Sequence, residues 1–495
     1  MSAFRSRTRR GIAAHYSRFN LIWIVLAALP ILHVPCVYAH STFEWALDGD
    51  IGWEQNPGYF PSGRLHGLNQ LPSFITYEGG SVFYNISTPT LRARLAGTAG
   101  YIDYLNGNYP GRIIGSIDGQ ALYTLRPHYL YWMINETFGQ ATTNVLAGAT
   151  TLNSTNVNMF STGPQLLLPI NYKWHIQLDA TAGSVTYQTP IYPNDKRITA
   201  NADLIDDMSA VSNAALEANY DNIQYSSYAF NYQGTELSSY SLESLYGHYA
   251  AYDQRDYASI DIGDGLIQQA GIVSQSPMLH LTFKRELSPH ISAALSLAHD
   301  QTDSAAQFAH ILITERLPTS LNNIDYHPIQ ENLANGPMQI ESAVVSATWQ
   351  GVRTRLELAL NVSRDDYIDN AKWNSQSYGV QGYFLHRLTR LVDVKAQASE
   401  EHESYASIFS HYDLSIASVI LGWHATQDTQ ITFGYRFERQ SSNMGLYSYT
   451  DNSLFIGFRY SPFTYIGFAN QMPTSFSGVG GPGADAQLLG PNAYY

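Results

Sequence analysis

The chain has one cysteine, Cys36, in 495 residues, and only 14% of its residues are charged. A lone cysteine excludes an intramolecular disulfide and any thiolate cluster for a metal. Long apolar runs are almost absent too. A helical membrane protein of this length would carry several runs of about 18 or more apolar residues, because each helix must cross about 30 Å of hydrocarbon. Here the one candidate, residues 21–32, is 12 residues long, short for a span. It follows Arg5, Arg7, Arg9, Arg10 and Arg18, closes on Val37-Tyr38-Ala39, and is interrupted by Pro30 and Pro35, which break a continuous helix. A basic start, a short apolar core and a small residue at its end read as a signal peptide, residues 1–39, cut after Ala39. Pro35 in front of Cys36 does not suit a lipid-anchoring signal, so the mature chain is expected to hold no cysteine.

Cations are scarce as well, with 27 Lys and Arg against 41 Asp and Glu. Removing residues 1–39 takes five Arg and no acid, leaving 22 against 41, a balance of −19. Nucleic acid is excluded as a partner. Also missing are a Gly-x-Ser-x-Gly elbow, a His-Glu-x-x-His helix and a glycine-rich phosphate loop. No catalytic residue, metal ligand or cofactor is assigned, and an outer-membrane hydrolase or acyltransferase is the weakest reading. Glu400-Glu401-His402-Glu403 is a faint metal motif that reads better as a solvated acidic loop.

What the sequence does have is aromatic side chains: 36 Tyr, 20 Phe and 8 Trp, with a slightly polar mean hydropathy of −0.20. That combination suits a β-barrel whose strands are apolar outside and polar inside. Alternation with period two runs through the chain. Ile431, Phe433, Tyr435 and Phe437 form one face against Thr432, Gly434, Arg436 and Glu438. Leu356, Leu358, Leu360 and Val362 alternate with Glu357, Asn361 and Ser363, and Val392, Val394, Ala396 and Ala398 with Asp393, Lys395 and Gln397. A soluble sandwich alternates too, but its strands are commonly about 5 to 6 residues. Runs of ten or more residues match tilted membrane strands, which need about 9 to 11.

Short turns fall at Thr88-Pro89-Thr90, Arg126-Pro127, Asn171-Tyr172, residues 253–255, Ser288-Pro289, Gly351-Val352, Thr389-Arg390 and Gln427-Asp428. Longer links, at 54–72, 140–156, 302–337 and 441–451, separate them. The expectation is an all-β fold: a single transmembrane antiparallel up-and-down β-barrel of about 18–20 strands, residues 40–460, with short periplasmic turns and longer external loops. Residues 201–275 alternate least cleanly. A Gly- and Pro-rich tail, 461–495, follows.

Glu136-Thr137-Phe138-Gly139-Gln140, the stretch from Asn156 through Phe160 to Pro164, and the closing Asn452-Ser453-Leu454-Phe455-Ile456-Gly457-Phe458-Arg459-Tyr460 resemble a family of large bacterial outer-membrane β-barrel proteins. Some members of that family are associated with exopolysaccharide systems. The resemblance implies a porin-like channel passing solutes or polymer, with outer-membrane lipid, the barrel-assembly machinery and polysaccharide-export components as partners. A structural or surface-binding barrel with a plugged lumen is the alternative. The terminal aromatic signal for assembly falls on Phe458 and Tyr460, although the chain continues past them.

Parity puts Arg355, Glu357, Asp393, Lys395, Arg436, Glu438 and Arg459 on the lumen side, as pore lining or as mutual ion pairs. Trp45, Trp53, Tyr129, Tyr131, Trp132, Trp349, Trp423 and Tyr460 lie near strand ends and are expected in the interfacial girdles. Residues 302–337 are expected to fold inward as a constriction, the alternative being a surface feature.

Overall fold

The computed structural model describes residues 40–61, 71–107, 109–150, 153–190, 192–226, 238–315, 336–368, 371–406 and 410–462. The expected signal peptide and all but the first two residues of the tail lie outside them. Twenty strands of 12 to 17 residues form one sheet. They are β1 (His40–Glu54), β2 (Ser73–Ser87), β3 (Leu91–Tyr104), β4 (Arg112–Arg126), β5 (Leu130–Thr142), β6 (Ser154–Pro169) and β7 (Trp174–Tyr187). Next come β8 (Asp195–Ser209), β9 (Ser212–Tyr225), β10 (Tyr240–Tyr252), β11 (Asp256–Gln269), β12 (Ile272–Ser288), β13 (Ile291–Asp303) and β14 (Pro337–Gln350). The ring is completed by β15 (Thr354–Tyr367), β16 (Ser375–Arg387), β17 (Val392–Tyr405), β18 (Ser410–His424), β19 (Thr429–Ser442) and β20 (Tyr449–Tyr460). Every neighbour is antiparallel, and β20 pairs with β1 from Leu47↔Tyr460 to Glu54↔Ser453, which closes the barrel. Among the described residues no helix is long and apolar enough to cross a membrane.

Closure satisfies every strand edge, the condition for a sheet to stand in hydrocarbon. Side-chain parity then divides the wall. Leu356, Leu358, Leu360 and Val362 on β15, and Leu454, Ile456 and Phe458 on β20, are all about half exposed. The alternate positions are polar or buried, such as Arg436, Glu438 and Gln440 on β19. The apolar exposed face is the outside. Trp349, Trp423 and Trp132 lie on it near the short-turn ends of their strands, and Trp45 lies 5.9 Å from Tyr460 beside them. Tyr131 departs from the girdle expectation. It is 6% exposed and pairs with Gln165 on the inner face, because consecutive residues alternate and Trp132 takes the outward position.

The eight expected short turns are all present, and a ninth joins β8 to β9 at Ala210-Val211. It contains no Gly, Pro or Asn. Ser209 and Ser212 clasp it instead, their hydroxyls 2.7 Å apart, which is why the sequence pattern blurs there. Links at the opposite end are mostly longer, the shortest being that between β11 and β12. β11 and β12 meet in a two-residue turn at Ala270 (φ 49°) and Gly271 (φ 82°), the left-handed pair that a tight hairpin requires.

Candidate functional site: the lumen and its mouth

Twenty strands about 4.8 Å apart and tilted near 40° enclose a ring roughly 40 Å across, backbone to backbone. What occupies that ring decides what the barrel can pass. The inner face is polar, and the seven residues that parity selected all lie on it, along the arc β15 to β20. Most are paired. Arg355 and Glu357, two apart on β15, form an ion pair. Asp393 meets His424 at 2.7 Å, and Lys395 occupies the next inner position on β17. Arg459 reaches Asp48 at 3.5 Å across the closing seam. Arg436 donates to Glu438 at 2.6 Å.

The last pair is no open lining. Both residues are less than 10% exposed, because the segment after β1 folds in over them. Tyr59 lies parallel to Tyr449 at 4.4 Å, and both hydroxyls donate to Glu438, at 3.0 and 2.6 Å. Burial, and then the Glu438 charge, push the Tyr59 phenol well above its usual range. Asn56 anchors the same segment: its backbone N–H donates to Asp451 at 2.6 Å and its side chain to the Phe60 carbonyl at 2.9 Å.

A second segment, after β5, crosses the mouth. Val145 and Leu146 pack against Tyr405, Tyr412 and Leu414 on β17 and β18, and the Gln440 amide donates to the Leu146 carbonyl at 2.8 Å. The Asn153 side chain holds the segment's shape by donating to the carbonyls of Asn144, Ala147 and Gly148. Tyr192, between β7 and β8, donates to the Thr143 carbonyl at 2.7 Å, and burial raises its pKa to about 12.

The third is a helix, α1 (Ser304–Glu315), at the start of the long segment expected to constrict the pore; the rest of that segment, 316–335, lies outside the described residues. Its apolar side, Ala305, Phe308 and Leu312, packs on Ala141, Val157, Val185 and Tyr187, which line the inner wall at β5 to β7. Gly139 makes this contact possible, since a Cβ there would lie 2.9 Å from Leu312 Cδ1 and 3.2 Å from Phe308 Cζ. His310, on the same helix, has its pKa lowered by burial. The sequence held a signal for α1: Asp303-Ser304 as a start, then apolar residues at 305, 308 and 312.

The wall from β7 to β13 differs in charge from the β15 to β20 arc. Asp179, Asp203, Glu217, Asp221, Asp261 and Asp300 all lie on its inner face. Tyr246 donates to Glu217 at 2.6 Å. His248 and His280 interleave with Asp261 and Asp300, at 2.5 Å for His248 to Asp261 and 3.3 Å for His280 to each carboxylate. Sequence reasoning overlooked this row because its members come from different strands of the least regular stretch.

No group of three or more His, Cys, Asp or Glu among the described residues is placed to hold a metal ion. The faint motif at 400–403 is not a loop but part of β17. Alternation sends Glu401 and Glu403 inward, while His402 lies on the outer face, against Tyr378 at 4.8 Å and Asp413 at 2.6 Å. One ion could not collect residues from both faces.

No protein-family model matches this chain, and no curated protein matches it. Solved structures of similar shape include the ferric enterobactin receptor of Pseudomonas aeruginosa in complex with enterobactin, at 9% identity over 85% of this chain and 82% of that one, TM-score 0.47. The siderophore receptor PirA from the same organism gives 10% identity over 85% and 81%, TM-score 0.43. A copper transporter, OprC, gives 8% over 86% and 81%, TM-score 0.43. Likeness at this level is one of general barrel shape and carries nothing about what this chain binds.

Proposed function

We propose that the chain is a porin-like channel of the bacterial outer membrane, passing small hydrophilic solutes through a lumen narrowed at the mouth by inward-folded segments. The observation that carries this reading is the two-faced wall: a continuous apolar exterior around a 20-strand ring whose interior is lined with charged and amide side chains. A ring this wide cannot be filled by its own wall side chains, since even 16 to 18 strands leave an aqueous channel. Gln397 supports it locally, being on the inner face and still exposed.

Small solutes fit better than a polysaccharide. The inward tyrosines at the mouth that could stack on sugar rings, Tyr405, Tyr412 and Tyr449, are 2–3% exposed because the mouth segments already cover them. Polymer passage, with export components as partners, would require those segments to leave. A plugged, surface-binding barrel is the second reading, favoured by the packed clusters that hold those segments in place. Phe458 and Tyr460, on the outer face of the last strand, are the residues proposed to meet the assembly machinery; no cofactor is invoked.

Vesicle swelling tests the proposal. Vesicles holding the folded protein should swell in iso-osmotic small sugars at rates that fall with sugar size. Swelling no faster than in protein-free vesicles for every sugar would overturn it in favour of the plugged barrel.

A further inference from the structure

The contact that closes α1 over the lumen is an ion pair between strands that are not neighbours. β12 pairs with β13 only from Leu279 onward, and residues 272–278 extend with β11 alone. The end of β13 is thereby free to lean across the lumen. There Asp303 meets Arg197 of β8, five strands away around the ring: Arg197 Nη1 donates to Oδ2 at 2.8 Å and Nη2 to Oδ1 at 3.1 Å. Asp195, beside Arg197 on the same inner face, takes the other edge of the guanidinium at 2.8 and 3.1 Å. Both carboxylate side chains are 3% exposed.

Asp303 has a second task. Its Oδ1 accepts the backbone N–H groups of Ala305 and Ala306, at 2.9 and 3.0 Å, so it caps the N-terminus of α1. One carboxylate thus ends the strand, starts the helix and ties both to the far wall. The bidentate fork fixes direction as well as distance, which a point charge could not do.

We propose that Arg197 is a latch: its pairing with Asp303 holds α1 as a strap across the mouth, and breaking the pair releases the helix from β5 to β7. Release requires only that Ala305, Phe308 and Leu312 lift from an apolar patch, while the twenty-strand ring stays closed. The latch itself stands on the geometry; its effect on permeation rests on the channel reading above.

The test uses the full chain with Cys36→Ser and a reporter, Ala305→Cys, at a position 2% exposed on the wall-facing side of the strap. Maleimide labelling of the folded protein is timed in that background, with Arg197→Ala, and with Asp303→Asn, which keeps a capping oxygen but loses the ion pair. At least tenfold faster labelling in both variants, with larger single-channel conductance, is expected. Unchanged labelling in both overturns the latch. If Arg197→Ala fails to fold, as its heat-dependent gel mobility would show, Asp303→Asn decides by the same criterion. Faster labelling without conductance in any variant keeps the latch and overturns the channel; conductance with unchanged labelling does the reverse.

Discussion

Replacing Leu360 with Arg separates a lipid-facing wall from a water-facing one. Leu360 is 52% exposed and lies near the middle of the outer face of β15, between Leu358 and Val362 and opposite Val345 and Val380. If hydrocarbon covers this face, an arginine at mid-depth costs about 2–4 kcal/mol. That is roughly 30- to 700-fold in the folding constant, at about 1.4 kcal/mol per factor of ten. If water covered it, an exposed strand substitution would change stability by about 0.5 kcal/mol or less. Gln397→Arg is the matched control, an arginine on the inner face at an exposed site, expected within about 0.5 kcal/mol of the parent. The assay is equilibrium unfolding by guanidinium from phosphatidylcholine vesicles. Losses that are equal for the two variants, or below about 0.5 kcal/mol for Leu360→Arg, would refute the assignment of faces.

Three further outcomes follow from charge. The carboxylates along β7 to β13 outnumber the cations on that wall, and Arg197 is occupied by Asp195 and Asp303, so under a salt gradient the reversal potential should have the sign of cation selectivity and move toward zero in Asp203→Asn/Glu217→Gln; anion selectivity would contradict this. Asp253, in the turn between β10 and β11, accepts the N–H groups of Arg255 and Asp256 at 2.6 and 2.7 Å, which lowers its pKa. Because the folded value is depressed, its contribution is complete above the ordinary value of 3.8 and fades as pH falls through the lower, folded one. A carboxyl carbon shift titrating at or above 3.8 would show the turn bonds to be absent in solution. His310, on α1 itself, has its pKa lowered by burial, so the docked helix binds protons less well than the released one. Docking should be firmest above 6.5 and weaken below it, read as faster exchange of α1 amides after correction for intrinsic rates, and His310→Gln should flatten that dependence.

Much of the architecture was legible because a barrel repeats one rule. Alternation at Leu356–Val362 and Ile431–Phe437 named the face of each residue, and Pro, Gly or Asn marked most of the turns. The rule failed where local chemistry replaced it. The Ala210-Val211 turn depends on two serine hydroxyls rather than on a turn-forming residue. Tyr131 and Trp132 are both aromatic, but only one can face lipid.

The mouth was less legible. Glu438 is charged and on the inner face, as parity requires, yet it is capped by Tyr59 from a segment 379 residues away. Arg197 and Asp303 are 106 residues apart and carry no motif. Contacts of this kind depend on which loops fold inward, and periodicity contains no record of that. The α1 helix was an omission of a different sort, since its capping aspartate and apolar spacing were present in the sequence.

Planar-bilayer recording tests the channel most directly. Folded protein added to a lipid bilayer in KCl should produce discrete current steps that are roughly linear in voltage at low potentials and cation-selective. Insertion that is demonstrated by protease protection of the strands, yet accompanied by no current step, would contradict the account and leave a barrel closed by its own mouth segments.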